Sequence, residues 1–131
     1  MIASLNLEKL MTPFAFSAPD AFAQLNDLEH AQLDALEFGV VRMNPDGIVL
    51  AYNQGESQIT GVEPNQAIGK HFFTQVAPCT DNFMVSARYQ EDSLDEEINY
   101  IFTKVTTPTR VRLRMLRDAS RPYQYLLVKT L

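Results

Sequence analysis

A second cysteine is missing from this chain, and with it any internal disulfide: Cys79 stands alone among 131 residues. Histidine is almost as scarce. His30 and His71 lie far apart and neither has a ligand-spaced partner, so the sequence offers no metal cluster. The chain is therefore expected to be reduced and metal-free. Positive charge is also short, with 11 Lys and Arg against 16 Asp and Glu and a net charge of −5, which argues against a nucleic-acid partner. No apolar run approaches the length that spans a bilayer. The first 20 residues, MIASLNLEKLMTPFAFSAPD, lack a basic stretch followed by an unbroken apolar one. A cytoplasmic protein with no membrane partner is expected.

What is present is periodicity that changes along the chain. Residues 1–20 hold Pro13 and Pro19 and no sustained period, which suggests an irregular arm with one helical turn at Leu5–Met11. After Asp20, the spacing of Phe22, Leu25 and Leu28 predicts a short helix that packs as a cap. In FGVVRMNPDGIVLAYN, two apolar runs flank Asn44-Pro45-Asp46-Gly47, a sequence made for a tight turn, so Gly39–Met43 and Ile48–Asn53 should pair as a hairpin. Alternation is lost over 54–96, where Gly55, Gly61, Pro64, Gly69 and Pro78 punctuate the chain. Pro64 suits a first helical turn, Gly69 a stop, and KHFFTQV a further turn. NFMVSARYQED predicts a longer helix with Phe83, Met84 and Ala87 on one face. Period two then returns in INYIFTKV, RVRLRML and YQYLLVKTL, three strands, the second with Val111, Leu113 and Met115 inward and Arg110, Arg112 and Arg114 on a solvated face.

Two strands, a helical crossover and three antiparallel strands make an α+β domain: a PAS-like five-stranded antiparallel sheet with a helical crossover and an N-terminal helical cap. Residues 1–32 would form the arm and cap, and 33–131 the core. PAS domains place a ligand pocket between sheet and crossover, a site suited to a small molecule. The fold alone leaves sensor, dimerisation module and ligand carrier open.

LAYNQGESQITG (50–61), IGKHFFTQVAPCTD (68–81) and TPTRVRL (107–113) together closely resemble the photoactive yellow protein family of blue-light receptors. The resemblance runs from about Leu33 to the C-terminus, interrupted by a shorter 82–98 segment than is usual in the family. It implies that Cys79 carries p-coumaric acid (4-hydroxycinnamic acid) as a covalent thioester. It implies further that Tyr52 and Glu56 hydrogen-bond the phenolic oxygen and that Thr60 bonds to Tyr52. Phe102 would be core or pocket wall. Three positions depart from the family pattern. Val62 stands where relatives commonly have a shielding arginine, Lys104 where the best-studied members have an aromatic residue, and Thr106 where they have a methionine thought to speed the return to the dark state. Slow dark recovery is the resulting expectation.

The chemistry asks for these residue types independently. A thioester needs a thiol, and Cys79 is the sole candidate. A phenolate buried in a pocket needs donors around its oxygen. Tyr52 has one at neutral pH, and Glu56 has one if desolvation lifts its pKa above about 7. Light-driven trans–cis isomerisation would then draw the Glu56 proton away, leave a buried carboxylate, and loosen residues 1–32 as the signal to a downstream protein that the sequence does not identify. The protein is expected to be a monomer or weak dimer. Rival readings are a PAS module that binds a ligand noncovalently or dimerises, and a redox sensor built on Cys79. Beyond the Tyr52/Glu56 pair no acid–base, metal or nucleophile–base set emerges, so an enzyme is not expected.

Overall fold

The computed structural model describes residues 14–103 and 107–131. The turn expected at Leu5–Met11, Lys104 and Thr106 lie outside the described residues.

The hairpin forms where the turn chemistry placed it. β1 (Gly39–Met43) runs antiparallel to β2 (Val49–Tyr52), with Val41 opposite Tyr52. Gly47 adopts φ 85° in the connection, where a side chain would be strained. Asn44 Oδ1 accepts the Asp46 and Ile48 N–H groups at 3.0 Å each, which locks the turn. The remaining strands are β3 (Ser93–Phe102), β4 (Thr109–Asp118) and β5 (Gln124–Thr130), and the antiparallel sheet has the order β2-β1-β5-β4-β3. It is an open sheet, and β5 returns to its centre between β1 and β4.

Two short helices precede the sheet, α1 (Ala21–Asn26) and α2 (His30–Leu33). The crossover holds α3 (Gln54–Thr60) and α4 (Pro64–Ala67, with Pro64 in its first turn). A wide helical turn comes next at Phe72–Val76, then tight turns at Pro78–Thr80 and Ser86–Gln90. No helix among the described residues is long and apolar enough to cross a membrane.

Because strand residues alternate between faces, the sheet builds two cores. On one face Val41, Tyr52, Val111, Leu113, Met115 and Val128 pack against the crossover through Phe72, Phe73 and Tyr89. On the other, Val40, Ala51, Leu116, Tyr125 and Leu127 pack under Phe16, Leu25 and Leu33. At about 25 cal/mol per Å² of apolar surface, each fully buried leucine contributes roughly 2 kcal/mol before entropy is counted.

Two expectations are corrected. The arginine row of β4 alternates as read, but only Arg110 is exposed, and Arg112 is half-buried. Arg114 is 4% exposed because residues 14–33 cover that face. Its guanidinium grips Asp95 through two bonds (2.9 and 3.0 Å) and donates to the carbonyls of Phe16 (2.9 Å) and Ala18 (2.7 Å). Buried Arg42 acts in parallel, donating to Leu25 O and Leu28 O at 2.7 Å and to Tyr125 Oη at 3.0 Å. Each charge is thus matched by aimed acceptors, which offsets its desolvation.

The long helix expected over NFMVSARYQED is the second correction. The Asn82 side chain accepts the Met84 and Val85 N–H groups (2.9 and 3.2 Å), diverting donors that a helix would use, and only the Ser86–Gln90 turn forms. Phe83, Met84 and Ala87 are all exposed.

Candidate functional site: a buried carboxyl facing a cysteine

Asn53 follows β2 directly and caps α3. Its Oδ1 accepts from Glu56 N (3.0 Å) and Val40 N (2.8 Å), and its Nδ2 donates to Leu33 O (2.9 Å) and Phe38 O (3.0 Å). When a glutamate stands three positions after a cap residue, its carboxylate usually turns back to the cap's own N–H. Here that N–H already donates to Val40 O at 3.2 Å. The carboxyl of Glu56 is left for the interior.

Glu56 is fully buried, and neither of its carboxyl oxygens has a hydrogen-bond partner among the described residues. Desolvation pushes its pKa up from 4.5 to about 8. At neutral pH the group is thus mostly a neutral acid and can donate a proton. Gly39 makes room for it: a Cβ there would stand 2.6 Å from Glu56 Oε1 and 3.0 Å from Glu56 Cα.

The Tyr52 side chain is buried on the crossover face, and its hydroxyl shares a 2.6 Å hydrogen bond with Thr60 Oγ1. Burial chiefly, with the Glu56 charge adding and the Thr60 bond opposing, holds the Tyr52 hydroxyl above its ordinary pKa, so it keeps its proton at neutral pH. Thr60 Oγ1 also lies 3.1 Å from Glu56 O, to which it can donate, and accepts from Val62 N at 3.1 Å. A threonine hydroxyl has one proton, so it serves either the Glu56 carbonyl or Tyr52 Oη, never both.

A small cavity closes the site. Glu56, Thr60, Val62, Cys79 and Phe102 line it together with Phe72 and residues 76–77. Five of the six site residues taken from the sequence meet on this surface, and Tyr52 reaches it through Thr60. Cys79 is a half-buried free thiol in the Pro78–Thr80 turn. The free volume is about 30 Å³, room for one water. Phe102 is 2% exposed and is both core and wall.

The chain is 33% identical over 123 residues to photoactive yellow protein of Rhodothalassium salexigens, covering 91% of this chain and 98% of the relative. It is 39% identical over 105 residues to photoactive yellow protein of Rhodobacter capsulatus, covering 77% and 85%. This chain belongs to the photoactive yellow protein family. The family is one of PAS-fold blue-light photoreceptors, which are sensory proteins. Among solved structures, the photoactive yellow protein domain of the sensor histidine kinase Ppr from Rhodospirillum centenum superposes with a TM-score of 0.75 at 29% identity, covering 82% of this chain and 98% of that one. No protein-family profile matches the chain.

Sequence reasoning missed several residues that shape this candidate site. Asn53 was detectable, since an asparagine three positions before a glutamate at a strand-to-helix junction marks a helix start. Gly39 carries no such signal, because only the folded approach of α3 to β1 makes its missing side chain matter. Tyr100 and Asn82 also escaped notice: their partner is the main chain of Cys79.

Proposed function

We propose that this member of the family senses blue light through p-coumaric acid bound to Cys79 as a thioester. The observation that carries the reading is the buried, unpartnered Glu56 carboxyl on the cavity that Cys79 lines. The donor set suits the group. A thiol stands for the acyl end, a hydroxyl and a neutral carboxyl can serve a phenolic oxygen, and apolar walls lie between. The free space, about 30 Å³, is smaller than the group, so the cavity must widen on loading. Attachment forms a bond from Cys79 Sγ to the acyl carbon; the thiol proton leaves, and an activated acyl donor supplies the leaving group.

When bound, the group supplies a phenolate that absorbs blue light and a double bond that isomerises from trans to cis. The chain's own residues govern the response. Tyr52 turns its proton from Thr60 towards the cavity, and Thr60 then donates to Tyr52 Oη instead of Glu56 O. Glu56, held neutral by burial in the dark, would pass the proton on its carboxyl oxygen to the phenolic oxygen once isomerisation has shifted that anion from its resting place. A carboxylate left in this site costs several kcal/mol, comparable with the whole stability of a small domain. Loosening of the segment that covers the second face, which is tied to the Glu56 helix through the bond from Asn53 Nδ2 to Leu33 O, relieves that cost by admitting water, and recognition of the loosened segment by a downstream protein forms the signal.

The test is a spectrum. Protein treated with activated p-coumaric acid is expected to gain a blue band that bleaches under illumination and is absent from Cys79→Ser. No band, or an undiminished band in that variant, refutes the proposal. It would favour a noncovalent PAS module or a thiol sensor.

A further inference from the structure

The main chain of Cys79 is held from outside the cavity. Tyr100 Oη donates to Cys79 O at 2.5 Å, and Asn82 Nδ2 reaches both Cys79 O (3.1 Å) and Tyr100 Oη (2.6 Å). Asn82 is fixed in turn, because its Oδ1 accepts from Met84 N and Val85 N. Tyr100 projects from β3, the edge strand, onto the crossover face, and its ring meets Phe102 edge-on at 6.3 Å. One side chain therefore touches the carbonyl of the cysteine and a wall of the cavity that the cysteine lines.

We propose that Tyr100, seconded by Asn82, is a positioning residue for Cys79: it ties the cysteine's carbonyl to β3 and so fixes the direction in which Sγ faces the cavity. The inference rests on the reading of Cys79 as the attachment point, and it adds a mechanical requirement. A group that turns about its double bond moves its far end only if its near end is anchored. With the carbonyl free, rotation at the Pro78–Thr80 turn would absorb the displacement before it reached Glu56. Stiffness at the anchor directs motion to the proton, as preorganisation does in other sites.

The decisive comparison is Tyr100→Phe against Tyr89→Phe. Tyr89 is the matched control: its hydroxyl also donates to a main-chain carbonyl, Tyr125 O at 2.7 Å, but it makes no bond to the cysteine turn. In chromophore-free protein, Tyr100→Phe is expected to speed alkylation of Cys79 by iodoacetamide about fivefold, the scale of one lost hydrogen bond. Tyr89→Phe should leave the rate within about twofold of wild type. An unchanged rate in Tyr100→Phe, or an equal rise in both variants, overturns the proposal. In loaded protein, Tyr100→Phe is expected to keep the dark band yet lose about half or more of its bleach per absorbed photon. An unchanged bleach overturns the positioning role whatever the alkylation rates. Should wild-type protein never gain a blue band, the photoreceptor reading fails, and the alkylation comparison alone judges the anchor.

Discussion

Replacing Glu56 with Gln takes from the interior a carboxyl that burial keeps protonated, and the consequence is a stability difference that depends on pH. Between pH 4.5 and about 8 the unfolded chain has released this proton while the folded chain retains it. The folded state then binds more protons, so stability falls as pH rises through this window and levels off above it. At about 1.4 kcal/mol for each pH unit, the interval from 4.5 to about 8 amounts to roughly 5 kcal/mol. That is a large part of what a small domain has in total. The Glu56→Gln variant would have no such loss. Its amide is buried without partners too, but that cost is the same at every pH and cancels from the slope. Urea unfolding of chromophore-free protein, wild type and Glu56→Gln, from pH 4.5 to 9 measures the effect. The advantage of the variant should grow with pH and plateau near pH 8 to 9, while all other titrating groups subtract out. A difference that stays flat across this range refutes a high Glu56 pKa, and with it the claim that a neutral acid faces the cavity.

Three further outcomes are expected. Gly39→Ala sets a Cβ 2.6 Å from Glu56 Oε1 and should destabilise the chain by about 1–3 kcal/mol while abolishing the blue band of reconstituted protein; a normal band would show that Glu56 can stand elsewhere. Arg114→Ala removes a buried guanidinium from the carbonyls of Phe16 and Ala18 and from the largely exposed Asp95, and should cost about 2–3 kcal/mol in urea, mainly through the lost charged hydrogen bonds, and speed proteolytic cleavage within 14–32, whereas unchanged cleavage would mean the guanidinium does not hold that segment. Recovery of the dark band should be slow and should quicken in Thr106→Met, and no acceleration would sink the expectation drawn from that position.

The strands were legible because a half-buried strand writes its faces into the sequence at period two, and β4 is the clearest case. What lies over each face is not written there. RVRLRML announced which side chains share a side, but Arg114 became buried only through residues nearly a hundred positions away. The failed helix over 82–92 shows a different limit. Apolar spacing favoured a helix, and one asparagine side chain captured the donors that would have started it. In the site, Cys79, Tyr52, Glu56 and Thr60 stood out because the resemblance ties them to one chemistry. Gly39, Asn82 and Tyr100 act through space and through the main chain, where a residue's type reveals little of its role.

The two-faced sheet has a consequence for how variation in this chain would be read. The partition between the cavity and the covering segment is one strand thick, so neighbours along a strand belong to opposite compartments. Tyr52 borders the cavity side and Ala51 the other; Leu113 and Arg114 divide in the same way. Along β1, β2 and β4, effects of substitution should interleave like two texts printed on alternate lines. Odd positions of β4 from Val111 to Met115 would tune the dark-state environment, and even positions from Arg112 to Leu116 would tune how readily the far side lets go. Selection could then adjust sensitivity and output almost separately, with a single residue's step along the chain as the boundary between them.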